Sequence, residues 1–157
     1  MLKTSPLLVA FTVAALAQTH VETSSPSGRK FSSLPDEKGT VAAAGKALAA
    51  DPKNPELLLK LAQAQAGVWQ NRESAETYTR LLAIEPDNIS YLTERGHREL
   101  PLREFKKAQA DLQKASDLGS KNPDTYYHLG LAHYFQGQFS EAADAFHRSV
   151  ELAPTTD

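Results

Sequence analysis

The side chains best equipped for chemistry are five histidines, His20, His97, His128, His133 and His147, in a chain without cysteine. An imidazole ligates a metal or moves a proton near neutral pH, but only where partners converge on it. His128 and His133 are five residues apart, which puts them on different faces of a helix. His97 and His147 belong to different segments of the chain. No H-E-x-x-H run and no Cys/His cluster is present. The sequence also lacks a glycine-rich phosphate loop and any strained turn suited to a nucleophilic serine. No catalytic residue, metal or cofactor is therefore expected, and the histidines are read as surface or edge-of-core residues.

Recognition is the remaining kind of chemistry, and it depends on how the chain is built. Cut every 34 residues, segments 55–88, 89–122 and 123–156 align without a gap. The column of Ala62, Gly96 and Gly130 is small throughout, as is that of Ser74, Ala108 and Ala142. The column of Tyr78, Leu112 and Phe146 is large and apolar. An unbroken period of this length signals a stacked helical array. Asn54-Pro55 and Asn122-Pro123 are cap-plus-proline helix starts, and Asn88 is the matching cap between them. Its place in the sequon Asn88-Ile89-Ser90 is read as chance. Gly67, Pro101 and Gly137 divide each segment into two helices that approach closely at the small columns. A lone helix over 36–50 precedes the repeats, opened by a Ser33/Asp36 capping box. No segment shows strand alternation, so the fold class is all-α.

Ahead of these helices the composition changes. Lys3, an apolar run over 7–17 and Ala15-Leu16-Ala17 have the layout of a cleaved secretory signal over 1–17. Gln18 is then the expected mature start, and the location is periplasmic or secreted. This run of eleven residues, apolar except for Thr12, is too short to span a bilayer, which needs about 20, so no membrane span is expected in the mature chain. Residues 18–34, rich in Ser, Thr, Pro and Gly, read as a flexible leader. The formal net charge of −2 argues against nonspecific nucleic-acid binding, which needs a basic face.

The third segment, with Tyr126, Leu129, Gly130, His133, Ala142, Phe146 and Pro154, resembles the tetratricopeptide repeat family. That resemblance implies a right-handed solenoid with a half repeat at 36–54 and full repeats at 55–88, 89–122 and 123–156. The domain would run from 35 to 157. Departures are concentrated in the middle unit, where Arg95 and Glu99 replace apolar residues. Arg95–Glu99 and Glu94–Arg98, each four apart, are expected ion pairs, and this unit is expected to be the least stable. Asn71 replaces an aromatic residue whose place Trp69 is expected to fill. In proteins similar to this one the first helices line a concave groove. The matching positions are Leu59 and Gln63, then Thr93 and His97, then Tyr127, Leu131 and Tyr134. A peptide or partner helix is the implied ligand, and a protein the implied partner. Ala143, Phe146 and Val150 on the last helix, with no capping helix after it, form a second candidate surface, for a homodimer.

Overall fold

Each first helix of a repeat starts where an asparagine satisfies backbone N–H groups that the helix itself leaves orphaned. Asn54 Oδ1 accepts from Glu56 N at 3.0 Å and Leu57 N at 3.2 Å. Asn88 Oδ1 accepts from Tyr91 N at 3.1 Å, and Asn122 Oδ1 from Asp124 N at 3.0 Å. In the computed structural model, which describes residues 19–153, these caps open α2, α4 and α6. The expected export signal and Gln18 lie outside the described residues.

After a strand pair β1 (Val21–Ser24) and β2 (Lys30–Ser32), the helices are α1 (Thr40–Ala50), α2 (Pro55–Gly67) and α3 (Asn71–Ile84). Then come α4 (Ile89–Glu99), α5 (Phe105–Asp117), α6 (Pro123–Phe135) and α7 (Phe139–Leu152). Helices α2/α3, α4/α5 and α6/α7 form three successive hairpins, and each helix packs mainly on its chain neighbours. Helix α4 also reaches α6. The architecture is an all-α helical-repeat solenoid.

The small columns lie at the hairpin contacts. A Cβ on Gly130 would stand 2.5 Å from Phe146 Cε1, and one on Gly96 would stand 2.7 Å from Leu112 Cγ. Ala62 is fully buried, and its carbonyl accepts from Ser74 Oγ at 2.9 Å. Leu58, Leu81 and Leu112 are almost fully enclosed. Burying each such side chain contributes about 1.5–3 kcal/mol.

Three expectations about local structure are corrected. Helix α1 starts at Thr40, with Asp36 accepting from Thr40 N and Ala42 N at 2.8 and 3.1 Å. Ser33 instead accepts from His20 N at 2.8 Å. Trp69 does not fill the place of the missing aromatic: it is 58% exposed, while Asn71 is buried and donates to the Trp69 carbonyl. In the middle repeat Arg95 pairs across the hairpin with both oxygens of Asp111, at 2.5 and 2.7 Å, rather than with Glu99. Glu94 and Arg98 do approach, at 3.8 Å.

Residues 21–32, read from sequence as part of a leader, pair as an antiparallel hairpin. Ser25-Pro26-Ser27-Gly28 makes its turn, with proline second and glycine fourth. Gly28 takes φ +82°, and its N–H donates to Ser25 O at 2.9 Å. The hairpin is tied to the first repeat. Arg72 N donates to Glu22 Oε2 at 3.0 Å, and the Arg72 guanidinium donates to Glu22 O at 3.2 Å. Leu34 N donates to Val68 O at 2.8 Å. Helix α3 has no side-chain cap of its own. A carboxylate from the hairpin supplies one, where the helix dipole favours negative charge.

Candidate functional site

Between the hairpin and the loops of the first two repeats lies an open cleft of about 710 Å³. One wall is the hairpin, with Arg29, Lys30 and Phe31. The other comes from repeats one and two, with Trp69 and Arg103 in their inner turns, Arg98 near the end of α4 and Phe105 at the start of α5, and from Phe135 at the end of α6. Phe105 and Phe135 stack at 4.9 Å. The guanidinium of Arg103 lies 5.5 Å from the Phe105 ring centre, and that of Arg29 lies 5.4 Å from Phe31. Such cation–π contacts keep arginines over rings without neutralising them.

Two backbone outliers belong to this cleft. Trp69 and Arg103 have φ of 58° and 64°. They occupy the same column as Gly137, whose φ is 77°. Glycine adopts that conformation freely, whereas other residues are strained by about 1–3 kcal/mol. Repeats one and two therefore hold large side chains at a position where glycine suits the backbone better.

The floor of the cleft holds a packed polar cluster. His97 and His128 stack at 3.9 Å. The Arg98 guanidinium is within hydrogen-bonding reach of both His97 ring nitrogens. Burial, together with the neighbouring His128 and Arg98, pushes His97 down to about 3. His128 is also lowered, chiefly by burial. Burial lowers Arg98 too, and its Nε is enclosed without a hydrogen-bond partner. On the far side of α4, burial followed by the Asp111 charge raises Glu99 to about 7.

The expected groove residues separate. Leu59 and Gln63 line a smaller hollow of about 310 Å³, shared with Tyr78, Tyr91 and Glu94. His97 belongs to the hairpin cleft instead. Thr93 is removed from any lining: it is 4% exposed and shares a hydrogen bond with Thr125 at 2.9 Å, where α4 meets α6. Tyr127 and Tyr134 expose about half their surface, at 48% and 53%. Leu131 is partly buried against the core. These three line neither hollow. On α7, Ala143 and Val150 are exposed, but Phe146 packs over Gly130 and lies 5.8 Å from the Tyr127 ring, which breaks the expected apolar stripe.

Among the other histidines, His133 is buried with Nδ1 2.7 Å from Gln138 Oε1, and His147 lies on the surface 3.4 Å from Glu151. Sequence reasoning missed Arg29, Lys30 and Arg103, and placed Arg98 only in an ion pair with Glu94. The Pro-Ser-Gly turn between Glu22-Thr23 and Lys30-Phe31 was the available signal for the hairpin. The stacking of His97 on His128 follows from neighbouring first helices, which spacing within one helix does not reveal.

Together, the solenoid and its open clefts define a helical-repeat scaffold with surfaces for holding another molecule. Residues 123–156 match the family model described as Tetratricopeptide repeat. Residues 123–156 are thus a tetratricopeptide repeat, one unit of the helical-repeat solenoid. Anaphase-promoting complex subunit 6 of Dictyostelium discoideum is 38% identical over 61 residues, 39% of this chain and 7% of that protein. Small glutamine-rich tetratricopeptide repeat-containing protein 2 of Mycosarcoma maydis is 26% identical over 82 residues, 52% of this chain and 23% of that one. The chain thus spans only a small part of these relatives. Among solved structures, a crystal structure of MamA superposes with a TM-score of 0.69 at 26% identity, covering 74% of this chain and 68% of the other. MamA from Desulfovibrio magneticus RS-1 gives 0.66 at 20% identity, covering 71% and 63%, a likeness of fold.

Proposed function

We propose that this chain is an exported adaptor, without catalysis of its own, that holds a peptide segment or helix of a protein partner on the faces of its first helices. The observation that carries the reading is the hollow shared by Leu59 and Gln63 of one repeat with Tyr91 and Glu94 of the next. A surface spanning two repeats reads a ligand at several points, with apolar anchors inside a polar frame. Tyr134, half-exposed beside Phe135 and Phe139, offers a further anchor two repeats along. The relative from Dictyostelium is by name a subunit of a larger complex, the setting in which an adaptor works.

Export rests on the sequence of residues 1–17. Intact-mass measurement on protein from its native host is expected to give a chain beginning at Gln18, and full-length chain in the cytosol would refute export. The adaptor reading is tested by a crosslinkable residue at Gln63 or Tyr134. Adducts with one discrete protein are expected, those at Gln63 lost on Tyr134→Ala and those at Tyr134 lost on Gln63→Ala, while helicity and melting hold. Absence of any discrete adduct in the compartment where the protein resides would overturn it.

A further inference from the structure

Among the described residues, four cations, Arg29, Lys30, Arg98 and Arg103, line the hairpin cleft against a single carboxylate, that of Glu22. Glu22 is already engaged by the backbone N–H of Arg72. The chain as a whole carries a formal charge of −2, so this positive charge is local to the cleft. We propose that the cleft takes an extended acidic segment of a protein partner. Its carboxylates would lie on those four cations and an apolar side chain would lie among Trp69, Phe105 and Phe135. The proposal deepens the adaptor reading and rests on it.

Three features select this occupant. Arg98 has a side chain only 12% exposed, and its nearest carboxylate, Glu94, stands off at 3.8 Å. Its Nε has no partner. A guanidinium without a close carboxylate gains charge-assisted hydrogen bonding from one that arrives at its exposed edge. Second, the aromatic lining is open to the cleft: Trp69 is 58% exposed and Phe135 53%. Exposed aromatics beside arginines are the residues that dominate binding at protein interfaces. Third, Trp69 and Arg103 keep their side chains at the cost of left-handed backbone, and both line this cleft. Strain of this kind clusters at ligand clamps. The volume falls within the range of about 300–1,000 Å³ that encloses a drug-sized ligand, and so suits a few residues of a partner chain. Cations interleaved with aromatics also suit single-stranded nucleic acid, but that ligand needs a basic track along its backbone, and the net negative charge disfavours one.

The chain contains one tryptophan, Trp69, so the cleft has a built-in reporter. The full chain is titrated with a short tryptophan-free peptide alternating Asp/Glu with Leu/Phe. The same peptide with Lys for each acid, and a short oligothymidylate, are run in parallel. Saturable change in Trp69 emission is expected with the acidic peptide alone, weakening as salt is raised. Arg29→Glu with Lys30→Glu is expected to weaken binding about tenfold or more, as loss and reversal of close charge pairs does. Arg103→Gly is expected to weaken it too, while melting at or above the wild-type temperature because the left-handed backbone is relieved. No saturable response to the acidic peptide overturns the proposal. So does an equal response to the lysine peptide or the oligonucleotide, or unchanged affinity in both variants. Discrete adducts at Gln63 or Tyr134 without these responses would leave the adaptor standing and remove the acidic cleft.

Discussion

Helix α4 buries two titratable side chains whose proton affinities move in opposite directions. Burial and its charged neighbours hold His97 at about 3, against an ordinary value of 6.5. Burial and Asp111 raise Glu99 from 4.5 to about 7, with Arg95 and Lys107 opposing and Glu104 adding to the rise. For His97, the unfolded chain takes up the proton first as pH falls. Its contribution is intact above about 6.5 and is lost progressively below that. For Glu99, the folded chain takes up the proton first. Its penalty is present near and above pH 7 and is relieved as pH falls toward 4.5. The two partly cancel between pH 7 and 4.5, so the wild-type melting profile hides both. Single variants separate them. Relative to wild type, His97→Gln is expected to gain thermal stability on going from pH 7 to 5, and Glu99→Gln to lose it. Parallel profiles for all three proteins would refute both assignments. Neither effect was legible in the sequence. Glu99 reads there as half of an ion pair with Arg95, four residues back. Only the fold shows that Asp111 takes Arg95 and leaves Glu99 Oε2 without a partner.

At the level of elements, the two kinds of helical glycine make opposite predictions. Gly130 faces Phe146, and any added carbon collides with the ring. Gly130→Leu is expected to destabilise by about 1–3 kcal/mol through overpacking. Gly45, within α1, has open space where a Cβ would go. Gly45→Ala is expected to stabilise by about 0.4–1 kcal/mol by narrowing the unfolded ensemble. Denaturant titrations that fail to separate the two in sign would contradict the hairpin packing. The Gly130 contact was readable from the sequence because small and large columns recur at a fixed period, and three copies reinforce each other. The asparagine caps of α2, α4 and α6 were readable for the same reason. The strand pair has no such repetition. Its strands are four and three residues long, too short for alternation to register, and what anchors Glu22 is Arg72, fifty residues away. The cleft was invisible in consequence, since one of its walls is that hairpin. Thr93 was misplaced for a related reason: register puts it on the ligand-facing side of α4, but the approach of α6 covers it.

Across the whole molecule, stability should be distributed unevenly along the chain. In a stack where units touch mainly their neighbours, unfolding is set by each unit's own stability plus its two interfaces. The buried side chains divide into separate apolar clusters, one around Leu58 and Tyr78, one around Leu82 and Leu92, and one around Leu112 and Leu129. The middle repeat holds its hairpin together partly through Arg95 and Asp111, with side chains 22% and 12% exposed. An apolar contact at that place would tolerate the loss of one partner better. Asp111→Ala leaves a mostly buried guanidinium with one remaining hydrogen bond, to Thr79 Oγ1 at 3.0 Å, and Glu99 as its neighbouring carboxylate. Losing charge-assisted bonds of this kind costs about 1.5–3 kcal/mol. Native-state hydrogen exchange is the measurement that locates the damage. Amides of α4 and α5 are expected to lose protection first, with α6 and α7 following only through their shared interface and α2 and α3 least affected. Uniform loss across all helices would mean that the repeats unfold as one unit, and that the Arg95–Asp111 pair supports the whole array rather than its middle.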